Sequence, residues 1–291
     1  MKIAVVGSSG QLGSDIVEVF SDRGDEVVSF THSDIELSDL GSVRNCLGGS
    51  NAEFVVNTAA MHHVEHCEQE PEKAFAVNAM GARNLALVTR EIGAALVHIS
   101  TDYVFDGRKG EPYVEEDIPL PLNVYGTSKL AGECFVQTLN PEHFVLRTSA
   151  LYGKHPCRAK GGRNFVELML KLGRERGFVR VVDNEYVSPT STIGLARQIV
   201  ALSGCREYGL YHSTAEGSCS WYQFAKAIFA AAKITAQVEV ADPLEFAGKV
   251  QRPYYSVLEN RRLKAAGLNV FHSWEEGLAE YLWVSPGLSV G

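Results

Sequence analysis

The stretch Ile3-Ala4-Val5-Val6-Gly7-Ser8-Ser9-Gly10-Gln11-Leu12-Gly13 decides how the chain folds. Ile3 to Val6 is a short apolar run, suited to a strand buried on both faces. After the glycines, Leu12, Ile16, Val19 and Phe20 recur at helical spacing, and Gly24 stands where that helix would stop. Gly7, Gly10 and Gly13 therefore lie between a strand and a helix. Glycines there let the backbone turn sharply and approach a pyrophosphate. The free N–H groups and positive dipole end of the helix point at the same place. A glycine triplet alone is weak evidence; the strand before it and the helix after it make a dinucleotide site the leading reading. The spacing is G-x-x-G-x-x-G rather than the G-x-G-x-x-G of ordinary dinucleotide-binding dehydrogenases.

Outward from this stretch, strands and helices keep alternating. Val27 to Phe30 reads as a second strand and Phe54 to Asn57 as a third. A long helix opens at Pro71, carries Ala74, Val77, Gly81, Leu85 and Val88 on one face, and closes at Gly93. Ala95 to Ile99 reads as a fourth strand, ending in Ser100-Thr101. Leu122 to Leu139 suits a helix and Phe144 to Leu146 a strand. This βαβ rhythm predicts an α/β fold, a Rossmann-type doubly wound parallel sheet with helices on both faces. After Tyr152 the pattern loosens into helices at 164–172, 193–202 and 221–232 and a strand at 179–182. We therefore expect a dinucleotide-binding domain over 1–150, with 179–203 returning to it. A smaller, mixed α/β substrate domain is expected over 151–291, interleaved with the first.

Composition bounds the partners. The chain has 291 residues, 45% hydrophobic and 21% charged, as in a globular protein. A formal net charge of -8 argues against non-specific binding to nucleic acid or anionic membranes. No apolar run reaches the length of a membrane span, and Lys2 followed by Ile3 to Val6 lacks a signal-peptide layout. The cysteines are scattered, with no Cys-x-x-Cys, and read as free thiols in a reducing cytosol; a cytoplasmic location is expected. His62, His63 and His66 are close together, but their plain reading is a polar loop-to-helix segment, and no metal site is expected.

Two further places carry chemistry. The second strand ends in Phe30-Thr31-His32-Ser33, with no carboxylate before Asp34 to hold a ribose 2′-hydroxyl and no arginine to greet a 2′-phosphate. That favours NADPH, or use of both NADPH and NADH, over strict NAD. Tyr125 and Lys129 stand at i and i+4 and share a helix face. A phenol with a pKa of about 10 becomes a useful proton donor to a carbonyl oxygen when a nearby cation lowers it. Lys129 supplies that cation and could hold a nicotinamide ribose. Tyr-x-x-x-Lys alone is a frequent accident; its place after a strand ending in Ser100-Thr101 makes it a catalytic candidate. The Thr101 hydroxyl can bond a substrate carbonyl oxygen.

At this point the residues resemble a known family. Ser100-Thr101-Asp102-Tyr103-Val104-Phe105-Asp106-Gly107, Pro121-Leu122-Asn123-Val124-Tyr125-Gly126 and Leu146-Arg147-Thr148-Ser149 are similar to dTDP-4-dehydrorhamnose reductases of the extended short-chain dehydrogenase/reductase type. The likeness continues at Asn164-Phe165, Pro189-Thr190, Gly209 to His212 and Arg252-Pro253. It implies reduction of a 4-keto-6-deoxy-sugar attached to dTDP, giving dTDP-L-rhamnose, with a nucleotide sugar as substrate. It implies catalytic roles for Thr101, Tyr125 and Lys129. Gly7, Ser9, Gly10, Gln11 and Leu12 would bind the cofactor, with Gly10, Gln11 and Leu12 on its pyrophosphate. Glu36 and Leu37 would face adenine, Ala59, Ala60, Met61 and His62 would line the groove, and Asn78 would brace the site. Thr101, Asp102, Ala150, Asn164 and Arg252 would meet the substrate.

Departures qualify the likeness. Sugar-nucleotide dehydratases carry Glu where Tyr103 stands here, which disfavours dehydration. Epimerases usually keep an acidic residue after the second strand, missing here. Ala150 replaces the family's usual Trp at the sugar pocket, so reduction of another nucleotide sugar stays open. The loop Lys154 to Arg163 is long and basic, with Arg158 and Lys160, and reads as a solvated loop or as a flap over the nucleotide diphosphate. Glu65-His66-Cys67-Glu68 replaces the usual Asp-Lys-Ala-Glu. The regulatory subunit of methionine adenosyltransferase shares the family pattern, so a non-catalytic dinucleotide-binding role is the competing class. Some members dimerise through a metal-bridged contact; a homodimer stays open, with no matching acidic cluster in the sequence.

Overall fold

The structure is a computed structural model, and it describes residues 1–157, 161–242, 245 and 250–284. Arg158 and Lys160 of the basic loop lie outside the described residues. The first half runs β1 (Lys2–Val6), α1 (Gln11–Asp22), β2 (Glu26–Phe30), α2 (Leu40–Gly48), β3 (Phe54–Asn57), α3 (Val64–Gln69) and α4 (Pro71–Phe75). It continues through a π turn (Ala76–Met80) into α5 (Gly81–Glu91), then β4 (Ala95–Thr101), α6 (Val124–Leu139) and β5 (His143–Thr148). The second half runs β6 (Leu151–Tyr152), α7 (Phe165–Arg176), β7 (Phe178–Val181), β8 (Tyr186–Val187), β9 (Thr190–Ser191), α8 (Thr192–Leu202) and β10 (Gly209–His212). It ends with β11 (Cys219–Ser220), α9 (Trp221–Ala231), β12 (Gln237–Val240), α10 (Arg261–Ala265) and α11 (Trp274–Val284).

Six strands form one parallel sheet in the order β10-β5-β4-β3-β1-β2. Successive residues of each strand feed opposite faces, because side chains alternate across a strand. Ile3, Val5, Phe54, Val56, Val97, Ile99, Phe144 and Leu146 pack under α1 and α8, against Ile16, Phe20, Leu195 and Ile199. Ala4, Val6, Val55, Leu96 and Val145 pack on the other face against Val43, Leu47, Leu85, Val88 and Val136 of α2, α5 and α6. This is the doubly wound fold expected from the strand–helix rhythm. Each helix supplies one apolar stripe, and a parallel sheet needs both faces covered.

Beyond Thr148 the chain moves between two cores. Helix α8 packs on α1, and β10 pairs with β5 at the sheet edge. The strand expected at 179–182 forms as β7 and pairs with β12 in a separate two-stranded sheet. It packs with α7, α9 and α11 around Phe224, Phe229, Trp274 and Tyr281. The helix opening at Pro71 is not one regular α-helix. It widens into the π turn at Ala76–Met80, a form that occurs mostly as single turns at special sites. Helix α6 begins at Val124 rather than at Leu122, because the Asn123 side chain accepts from the Gly126 N–H and caps it there.

Candidate active site

Strand order reverses between β1 and β3, so the crevice beyond their C-terminal ends is the natural ligand site of an open α/β sheet. The glycine turn after β1 opens there. Gly7 has φ +83°, and a Cβ on it would stand 2.7 Å from Thr58 Oγ1 and 2.9 Å from the Ala59 nitrogen. A Cβ on Gly13 would run into the Gly7 carbonyl. Gly10 precedes α1 with no side chain capping the helix, which leaves the amides of Gln11 and Leu12 to an outside acceptor. A nicotinamide dinucleotide fits this cradle. Its pyrophosphate would meet the uncapped N-terminus of α1, where backbone N–H groups and dipole favour an anion.

Ala59, Ala60 and Met61 follow β3 and are half-buried beside the turn. Asn78, at the π turn, fixes them: its Oδ1 accepts from Met61 N at 2.8 Å, while its Nδ2 donates to Met61 O at 2.9 Å and to Ser128 Oγ at 3.0 Å. Asn78 is 1% exposed with its amide engaged within the protein, so it braces the groove wall against α6. Beyond β2, Asp34 accepts from Thr31 N and Oγ1, and Glu36 accepts from Ser38, so both carboxylates are turned onto their own loop. Leu37 is buried against the helix that begins at Gly81.

Thr101 ends β4 opposite Thr148, the last residue of β5. Its hydroxyl donates to Asp102 Oδ1 at 3.0 Å and accepts from Tyr103 N at 3.2 Å. Asp102 is 3% exposed, and its Oδ2 accepts from Ser149 at 2.8 Å and Ser256 at 2.5 Å. Burial raises its carboxyl above the usual range while these hydroxyls oppose the rise. Tyr125 hydrogen-bonds to Thr101, so the phenol and hydroxyl form one cluster. Tyr103 meets Tyr125 edge to face at 5.8 Å. One turn on, Lys129 buries its amine, donating to Ile99 O at 2.6 Å. Burial lowers Lys129 to about 8. It also raises the Tyr125 phenol, with the Thr101 bond opposing. Sequence reasoning expects a lowered phenol beside a cation; burial instead pushes both groups toward their neutral forms.

The residues expected at the substrate separate. Ala150 follows the Asp102 partner Ser149 and takes φ +46°, a left-handed conformation unusual for a residue with a Cβ. Asn164 caps α7 and donates to Gly153 O at 2.9 Å and Tyr281 Oη at 3.2 Å, so its side chain is committed to the fold. Arg252 reaches Glu65 of α3 in an ion pair and feels the charge of Glu185, facing Tyr103. Glu65 thus has a definite role here, holding Arg252 at the rim. The basic loop is tied down at its start. Gln11 Nε2 donates to Gly153 O at 3.2 Å and His155 O at 2.8 Å, Lys154 pairs with Glu18, and Cys157 Sγ lies 3.7 Å from His62 Nε2.

The family model for the RmlD substrate binding domain matches residues 1–285. The chain belongs to this family. A Bacillus subtilis relative, the spore coat polysaccharide biosynthesis protein SpsK, is 40% identical, covering 97% of this chain and 96% of its own. The dTDP-4-dehydrorhamnose reductase of Clostridium acetobutylicum superposes with a TM-score of 0.93 at 37% identity, over 98% of this chain and 99% of that one. That of Bacillus anthracis, solved in complex with NADP, has the same TM-score and identity over 97% of this chain and 99% of its own.

In this RmlD-family chain several site neighbours were not legible beforehand. Glu133, one turn beyond Lys129, is fully buried; it accepts from Ser100 Oγ at 2.5 Å and from Arg147 at 2.7 Å, tying α6 to β4 and β5 behind the site. Its spacing from Lys129 was the available signal. Ser149 belongs to the Leu146–Ser149 motif, but Ser256 reaches Asp102 from far along the chain. Asp15, Glu18 and His155 place ligand atoms within 4.8 Å of one another, a cluster that no sequence spacing announced. The six cysteines are free. No helix among the described residues is long and apolar enough to cross a membrane.

Proposed function

We propose that this protein is an NADPH- or NADH-dependent reductase of the C4 carbonyl of a dTDP-linked 4-keto-6-deoxy-sugar, converting dTDP-4-dehydrorhamnose to dTDP-L-rhamnose. The observation that carries the reading is the Thr101–Tyr125–Lys129 cluster at the C-terminal end of β4, beside a glycine cradle fit for a dinucleotide. The reductases named among its relatives support the substrate class. The NADP complex of a 37% identical structure supports the cofactor. The fully assembled site would divide the work between two regions, residues 1–150 for the dinucleotide and the later segments for the sugar nucleotide.

A bound reduced nicotinamide supplies hydride with its electron pair. Tyr125, held against Thr101, gives the carbonyl oxygen its proton as negative charge develops there. The neutral, raised phenol arrives protonated, as an acid must. Lys129 returns a proton toward Tyr125 for the next cycle. Asp102, pinned by three hydroxyls, fixes Thr101. Arg252 would meet the nucleotide diphosphate on leaving Glu65, where a bidentate guanidinium suits phosphate. The deciding assay follows loss of NADPH and NADH absorbance against a panel of nucleotide ketosugars. Turnover of the dTDP-4-ketosugar supports the assignment; no turnover of any ketosugar, with co-purification of a synthetase, turns it to the regulatory class.

A further inference from the structure

Behind Lys129 lies a chain of buried polar groups that the reaction above does not use. Asn57 ends β3 and pairs in register with His98 on β4. Both are almost fully buried. The Ala59 backbone N–H donates to Asn57 Oδ1 at 3.1 Å, and that fixes the amide, because a backbone nitrogen can only donate. Asn57 Nδ2 is therefore the donor to His98 Nδ1 at 3.0 Å. An imidazole that accepts at Nδ1 carries its proton on Nε2 when neutral. Burial and the nearby lysine hold His98 far below the ordinary histidine range, so it is neutral. Its Nε2 faces Lys129 Nζ at 3.5 Å, against 2.6 Å from Nζ to the Ile99 oxygen. Gly132 lies against the same point: a Cβ there would run into the Asn78 backbone oxygen and stand 3.3 Å from Nε2.

We propose that His98, oriented by Asn57, is a positioning residue that presents an N–H to Lys129 and so favours the amine over the ammonium. The proposal rests on the reductase reading only for its catalytic meaning. An ammonium finds a good acceptor in Ile99 O but meets a second donor in His98; an amine uses both, donating to one and accepting from the other. Lys129 can then exchange a proton near neutral pH instead of holding it permanently. The charged group facing Lys129 besides His98 is Glu133 on the same helix, and Asp102 after β4 acts on Tyr125 one turn earlier. Arg147 of β5 is paired to Glu133, and Cys67 of α3 faces Tyr125. Asn78 of the π turn does not titrate.

The test begins with long-range 1H–15N spectra of protein labelled in histidine, which report the His98 tautomer without any assay of turnover. The Nε2–H form, unchanged between about pH 6 and 9, is expected; the Nδ1–H form or an imidazolium overturns the proposal. NADPH binding and kcat/KM are then followed against pH in the wild type, His98→Phe and His98→Gln. The limb belonging to Lys129 should move upward by roughly one pH unit in His98→Phe. It should stay near the wild-type position in His98→Gln, whose amide can still donate. A loss of activity with the limb unmoved in His98→Phe reduces His98 to a packing residue. Asn57→Asp, which demands Nδ1–H instead, should flip the tautomer and raise the same limb. If no ketosugar is reduced, the reductase reading fails, while the spectra and the binding profile still decide the proposal.

Discussion

Lys129 gives a hydrogen bond from Nζ to the Ile99 carbonyl oxygen at 2.6 Å, one helical turn after Tyr125 and sealed from solvent. Its ammonium is costly there, and burial lowers its pKa from 10.5 to about 8. A depressed pKa means the folded state binds the proton less well than the unfolded state. Its contribution to stability is therefore present above 10.5 and lost as pH falls through about 8. Lys129→Met should abolish turnover yet be more stable than the wild type at pH 7. Chemical denaturation across the range should show that advantage shrinking between about 8 and 10.5. An advantage independent of pH would contradict this account.

Tyr125 reaches the Thr101 hydroxyl and packs edge to face with Tyr103. Tyr125→Phe keeps the ring and removes the proton donor. Turnover should fall by about 10²–10⁴-fold, with NADPH affinity by fluorescence little changed, since the hydroxyl removed is the one that meets Thr101. Full activity in this variant would remove Tyr125 from the chemistry.

Asp102 accepts from its neighbour Thr101 and from Ser149 and Ser256, which arrive from distant parts of the chain. Asp102→Asn turns one acceptor oxygen into a donor, so Thr101 loses its fixed orientation. A drop in kcat of about 10–10²-fold is expected. The raised carboxyl binds its proton better in the folded state. Its contribution is present below pH 3.8 and lost as pH rises through the raised value. Stability of Asp102→Asn relative to the wild type should therefore improve as pH rises from 3.8, read by thermal melts at several pH values.

Gly13 packs its Cα against the Gly7 carbonyl. Gly13→Ala should open the turn and destroy cofactor binding, whereas Gly24→Ala, where a Cβ meets nothing, should leave binding intact. The positive φ at Gly24 should still cost about 1 kcal/mol in a denaturation curve. Equal loss of binding in both variants would argue against a turn-specific role.

Short-range patterns made much of this readable. The Ile3–Gly13 stretch and the strand–helix alternation announced the parallel sheet, because strand and helix periods are local properties of the chain. Tyr125 and Lys129 were readable for the same reason, being one turn apart on one helix. The helix opening at Pro71 was readable, but its π turn was not: it holds Asn78, whose partners Met61 and Ser128 come from other elements.

The sequence by itself determined the fold class, the glycine turn between strand and helix, and which side chains are the candidates for the chemistry. Tertiary structure alone decided their charge and aim. It brought Ser256 to Asp102, gave Asn164 to a helix cap and Arg252 to Glu65, and set Asn57 and His98 behind Lys129. Protonation depends on burial and on partners distant along the chain, and neither is encoded in the spacing of a motif.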